Sequence, residues 1–109
     1  MMRWSVEVLN EVVAGEIEAW PVKVRAALAK IIERIETVGL TNVREPHVKH
    51  VQGKLWEMRP SAAGDDGRAL YVTTRGRRIV ILAAFMKKTA KTPPRMIQLA
   101  LERAREIGE

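Results

Sequence analysis

KLWEMRPSAAGDDGRALYVTTRGRRIVILAAFMKKTAKTPP, residues 54–94, decides the fold. In LWEMR, Trp56 and Met58 point one way and Leu55, Glu57 and Arg59 the other, the period-2 signature of a strand. SAAGDDG, after Pro60, is rich in turn residues. A second strand spans 68–74, and Arg75-Gly76 reads as a tight hairpin turn. The third strand, 78–86, contains IVILAAF. Its continuous apolar run fits a strand covered on both faces, hence central in its sheet. Cations gather where these strands begin and end: Lys54, Arg59, Arg68, Lys87, Lys88 and Lys91.

Upstream, Trp4, Val6 and Val8 alternate with Arg3, Ser5 and Glu7, a strand over 3–9 with one buried face. Asn10 is placed to cap a short helix over 11–19, with Val13, Ile17 and Trp20 on its apolar side. Residues 22–38 form the strongest helical pattern. Val24, Leu28, Ile31, Ile35 and Val38 make one stripe that should pack on a face of the sheet, and Gly39 ends it. Residues 40–52 read as irregular or weakly extended, because Pro46 forbids a helix through them. Thr92 is placed as an N-cap with Pro93 at the first helical position. A last helix over 95–107 follows, with Ile97, Ala100, Leu101 and Ala104 as its apolar face. The order β-α-α-β-β-β-α predicts an α+β fold: one small, mostly antiparallel sheet flanked by helices.

The 109 residues suit a single domain, 1–109, able to bury roughly two-thirds of its unfolded surface. The sequence has no cysteine, which excludes disulfides and thiolate metal sites. No apolar run nears the roughly 18 residues of a membrane span, and the N-terminus lacks a signal-peptide core. A soluble, cytoplasmic protein is expected.

The net charge is +6, from 19 Lys and Arg against 13 Asp and Glu, and the excess is concentrated in 46–95. Such asymmetry points to an anionic partner, nucleic acid or an acidic protein, as well as to plain solubility. Among candidate site residues, Arg59 and Arg68 lie either side of one turn and can converge on a phosphate, whose two oxygens suit the guanidinium fork. Glu57 is either a general base or an ion-pair partner that orients those arginines. Lys87 and Lys88 are a general acid or simple phosphate ligands, and Lys54, Lys91 and Arg95 extend the basic surface. His47 is a cleft histidine or an ordinary surface one; Tyr71 stacks a base or belongs to the core, where Trp4, Trp20 and Trp56 are also expected. No clustered carboxylates, glycine loop or nucleophile elbow calls for a metal or another cofactor.

Nearly the whole chain resembles the phage-derived branch of the RelE/HigB toxins of type II toxin–antitoxin systems. LWEMR (55–59), GRALYV (67–72) and above all AFMKKTAKTPP (84–94), with Leu99, Ala100 and Arg103 in the following helix, carry the likeness. The resemblance implies a RelE-like α+β fold and an endoribonuclease that cleaves mRNA, commonly on the ribosome, by metal-independent attack of the substrate 2′-hydroxyl. It implies a cognate antitoxin, often a helix-turn-helix protein, and a toxin–antitoxin heterotetramer. By position it makes Arg68 the arginine that contacts the scissile phosphate, Arg59 the one that closes the first hairpin strand, and Lys87 and Lys88 the basic pair after the last strand. Two departures stand out. Glu57 replaces a residue that other branches keep basic, and the tail LERAREIGE holds no tyrosine or histidine. The alternative they leave open is a non-catalytic RNA- or ribosome-binding module, or a degenerate toxin held by an antitoxin.

Overall fold

The computed structural model describes residues 3–108. Strand β1 (Ser5–Val8) leads into helices α1 (Glu11–Glu18) and α2 (Val22–Val38). After a 3-10 turn, Leu40–Asn42, come strands β2 (Val48–Gln52), β3 (Leu55–Met58), β4 (Ser61–Ala62), β5 (Asp65–Thr74) and β6 (Arg78–Met86). Helix α3 (Pro94–Ala104) closes the chain with a 3-10 turn, Arg105–Ile107. The architecture is α+β, a mostly antiparallel sheet with helices on both faces, as the sequence predicts. The sheet order is β1-β6-β5-β3-β2; only β1 runs parallel to its neighbour, and β4 folds back on the start of β5.

The central position of β6 follows from its apolar run. Alternate residues feed two cores. Ile79, Ile81 and Ala84 join Ala69, Tyr71 and Met58 beneath α1 and α2. Val80, Leu82 and Ala83 join Leu55, Leu70 and Val72 beneath α3. A register shift between Leu70 and Tyr71 lets both Leu82 and Ala83 turn to the α3 side. The α2 stripe behaves as its spacing predicts over Val24, Leu28, Ile31 and Ile35, all buried, but Val38 at the end of the helix is exposed. Asn10 caps α1, its Oδ1 accepting the Val13 amide at 3.1 Å.

Several expectations change. In the segment read as irregular or weakly extended, residues Val48–Gln52 form a regular strand, β2, antiparallel to β3 and confined to the sheet edge. The SAAGDDG stretch is itself a small hairpin, so β5 starts at Asp65 and Arg68 lies inside the strand. The hairpin between β5 and β6 has three loop residues, since Thr74 pairs with Arg78. The N-cap of helix α3 is Pro93 and not Thr92, with no side-chain cap. Its apolar face uses Met96, Ile97, Ala100 and Ala104, while Leu101 is exposed. Trp20 is buried, but Trp56 is 39% exposed and sits edge-on against the His50 ring at 5.1 Å.

The last helix also takes part in closing an open sheet edge. Beyond Val8, β1 no longer covers the edge of β6. Glu16 accepts the Ala84 amide at 3.0 Å there, and Arg103 donates to the Leu82 carbonyl at 3.0 Å. The two side chains form a two-pronged ion pair with each other, at 3.0 and 2.8 Å. The open edge is thus satisfied by side chains instead of a strand.

Candidate functional site

The end of β3 and the middle of β5 bring Glu57 and Arg68 to the α3 face of the sheet. Glu57 pairs with Leu70 across the strands, and Arg68 with Phe85. Glu57 is 3% exposed and Arg68 5% exposed, the two buried charged residues among those described. A charge so deep requires compensation. Glu57 Oε2 lies 3.2 Å from Arg68 Nε and 3.3 Å from Arg59 Nε. Its other oxygen accepts the Thr92 hydroxyl at 2.5 Å. The carboxylate therefore faces two guanidiniums, accepts one hydroxyl, and ties the loop before α3 to the sheet. Glu57 thus makes ion pairs with both arginines.

Both arginines meet Glu57 through Nε, which leaves their terminal nitrogens for other acceptors. Arg68 gives Nη1 to the Gly67 carbonyl at 2.8 Å. Burial holds the Arg68 guanidinium below its ordinary pKa; Arg59 adds to this, and Glu57 and Asp66 oppose it. Arg59 is fixed just past β3, where its backbone N–H donates to the His47 carbonyl at 2.8 Å. Asp66 accepts from Ser61, and this bond holds its carboxyl below the usual range, helped by the charges of Lys87, Arg68 and Arg59 against partial desolvation.

The corner between β6 and α3 completes the cluster. Arg68, Phe85, Lys87, Lys88, Lys91 and Thr92 line one shallow depression. The Lys87 amide bonds to the Asp66 carbonyl at 2.8 Å, anchoring the corner to β5. Lys87 is half-buried, while Lys88 and Lys91 are exposed. Together these groups can hold a phosphate between a buried guanidinium and more exposed ammonium groups.

Other predicted site residues lie elsewhere. Tyr71 is 1% exposed and faces α2, so it cannot stack on anything bound at Arg68. Its hydroxyl has no hydrogen-bond partner among the described residues, and burial raises its pKa above the ordinary value. Lys54 sits in the turn before β3, roughly 16 Å along the strand from Arg59. Arg95 is exposed in the first turn of α3. His47 is exposed and lines a different hollow, beside α2. That helix backs the opposite sheet face from Glu57 and Arg68, and the helix nearest the pair is α3. Thr92, expected as an N-cap, donates instead to Glu57, 35 residues away and beyond any local pattern.

No helix among the described residues is long and apolar enough to cross a membrane. Among curated proteins none matches the chain. The family model of the phage-derived proteins resembling Gp49 (DUF891) matches residues 15–105, from α1 to the end of α3, and so takes in every residue of the cluster. The chain belongs to the phage-derived Gp49-like family.

Proposed function

We propose that the protein is the toxin of a toxin–antitoxin pair and cuts mRNA, on the ribosome, without a metal. One observation carries this reading: a buried arginine, Arg68, held by a buried carboxylate and opening onto a corner with three lysines. An arginine kept rigid at the cost of burying its counter-ion suits an oxyanion whose charge grows during reaction. In the proposed step the substrate 2′-hydroxyl attacks phosphorus and the bond to the 5′-oxygen breaks. The products are a 2′,3′-cyclic phosphate and a 5′-hydroxyl. Arg68 and Arg59 hold the phosphate oxygens and stabilise the added charge. Lys87 or Lys88 delivers the proton to the leaving oxygen, and the 2′-proton passes to solvent. Glu57 positions both arginines. An antitoxin, by the resemblance a helix-turn-helix protein, blocks the site, and pairing into a heterotetramer belongs to the same reading.

The test is cleavage of mRNA in a translating extract, mapped by primer extension. Wild-type protein is expected to give discrete ends, and Arg68→Ala to lose at least about a hundredfold of the rate while remaining folded. Intact mRNA at protein levels that saturate the ribosomes would overturn the nuclease assignment. A second reading draws on the corner itself. No tyrosine or histidine lines it among the described residues. Binding of RNA that weakens with salt, with no cleavage, would establish a binding module in place of an enzyme.

A further inference from the structure

The largest hollow described in the protein is not at the lysine corner. It lies between α2 and the segment 59–62, with a volume of about 590 Å³. Its floor is apolar and made mainly of small residues, among them Ala26, Ala27, Pro60 and Ala62. Its rim is cationic. Lys23, Lys30 and Arg34 stand along α2, and Arg59 and His47 form the facing wall. The seven- and four-residue spacings put the three helix cations on one stripe. None of the three forms an ion pair among the described residues, and no acidic residue described lines the hollow.

Arg59 belongs to both places. Its Nε faces Glu57 in the phosphate cluster, its backbone is pinned to His47, and its side chain lines the hollow. We infer that this hollow is a second subsite for single-stranded RNA, continuous with the Arg68–Lys87 corner through Arg59. The inference rests on the RNA-cleaving reading above. A strand leaving the corner meets Arg59, then lays its sugar and base over the small apolar floor while Lys23, Lys30 and Arg34 take the following phosphates. An acidic protein segment is the competing occupant. RNA is favoured because Arg59, which shares the Glu57 carboxylate with Arg68, also lines the hollow and so joins its cations to the phosphate cluster.

The chemistry of the subsite limits what it reads. Lys and Arg on phosphates fix register but carry no sequence information. Ser61, the hydroxyl in the lining, is already engaged by Asp66. No Phe, Tyr or Trp ring lines the floor to stack a base. The subsite should therefore reward length and be indifferent to base identity.

The experiment uses 2′-O-methyl oligonucleotides, which lack the nucleophile, of two and six nucleotides, followed by fluorescence anisotropy. The comparison is between wild type, Arg68→Ala and the triple variant Lys23→Ala, Lys30→Ala, Arg34→Ala. All three helix positions are exposed, so the fold should be retained, which thermal melting checks. The hexamer is expected to bind wild type at least about tenfold more tightly than the dimer, and the triple variant to lose that gain while binding the dimer normally. Its salt dependence should be shallower by about two units of log K per log salt, three lost contacts at roughly 0.7 each. Arg68→Ala should weaken both lengths. Hexamer binding by the triple variant within about twofold of wild type overturns the subsite and leaves the nuclease reading intact. So does normal hexamer binding by the triple variant with loss of binding to a poly-glutamate peptide, which makes the hollow a protein interface. Failure of wild type to bind either oligonucleotide overturns the subsite, while cleavage in the translating extract decides the nuclease reading separately.

Discussion

Glu57 has the least surface of any acidic side chain described in the protein, and the most partners: two guanidiniums and one hydroxyl. Removing one member of a buried ion pair costs more than the pair itself contributes, because the other charge is left uncompensated. Glu57→Gln keeps the shape but removes the charge, and its amide N–H groups would face arginine N–H groups. Unfolding free energy in urea is expected to fall by about 3 kcal/mol, near the lower bound for a broken buried pair because Asp66 remains close to Arg68. RNA binding should weaken alongside, as Arg68 and Arg59 lose their common anchor. A denaturation midpoint equal to wild type would mean that solvent reaches the cluster in solution and that the arginines are not held by Glu57. The residue types at this corner were legible from sequence, and so was the choice of roles for Glu57. The depth of Glu57 was not legible, because it depends on the loop before α3 lying against the strands.

Gly67 shows the same dependence at the level of elements. It precedes Arg68 on β5, and its missing side chain faces the junction of α1 and α2. A Cβ there would stand 2.9 Å from the Trp20 ring and 2.9 Å from a Val24 methyl. Neither neighbour is a flexible tip, since one is an aromatic ring and the other is β-branched on a helix. Gly67→Ala is expected to destabilise by about 1–3 kcal/mol, the usual range for overpacking, and to move Arg68 with the strand. Chemical denaturation measures the first effect and RNA affinity the second; wild-type values of both would show that the helices yield freely. Elements set by near neighbours were readable: the α2 stripe, the Asn10 cap and the apolar run of β6. Those settled by distant partners were not. Strand β2 carries a weak alternation after Pro46 and is fixed by pairing with β3. Trp56 has the alternation of a core residue, yet its strand lies next to the edge strand, and the ring remains 39% exposed. The partnership of Glu16 with Arg103 spans 87 residues and leaves no periodic trace.

At the scale of the whole molecule, stability should be graded across the sheet from β6 to β2. Strand β6 has β5 along its length and β1 along its first half, and lies between the two cores. Where β1 ends, Glu16 and Arg103 take over its open edge. Strand β2 has one neighbour, and only one of its five residues is buried. Backbone groups that open only with the whole core exchange their protons at the global unfolding limit, while edges open locally. Native-state hydrogen exchange should therefore place the hydrogen-bonded amides of residues 79–84 and 70–72 at that limit. Those of 48–52 should be less protected by about 2–3 kcal/mol. The two ends of the candidate site would then differ in kind. Arg68 rides on β5 beside the slow centre and holds Glu57 on the next strand, so the geometry of the pair should persist in nearly every molecule. His47, just before β2, belongs to the fast edge, so the wall of the α2 hollow that it shares with Arg59 can adjust to what enters. Equal protection of β2 and β6 would overturn this gradient and make the hollow as rigid as the cluster it adjoins.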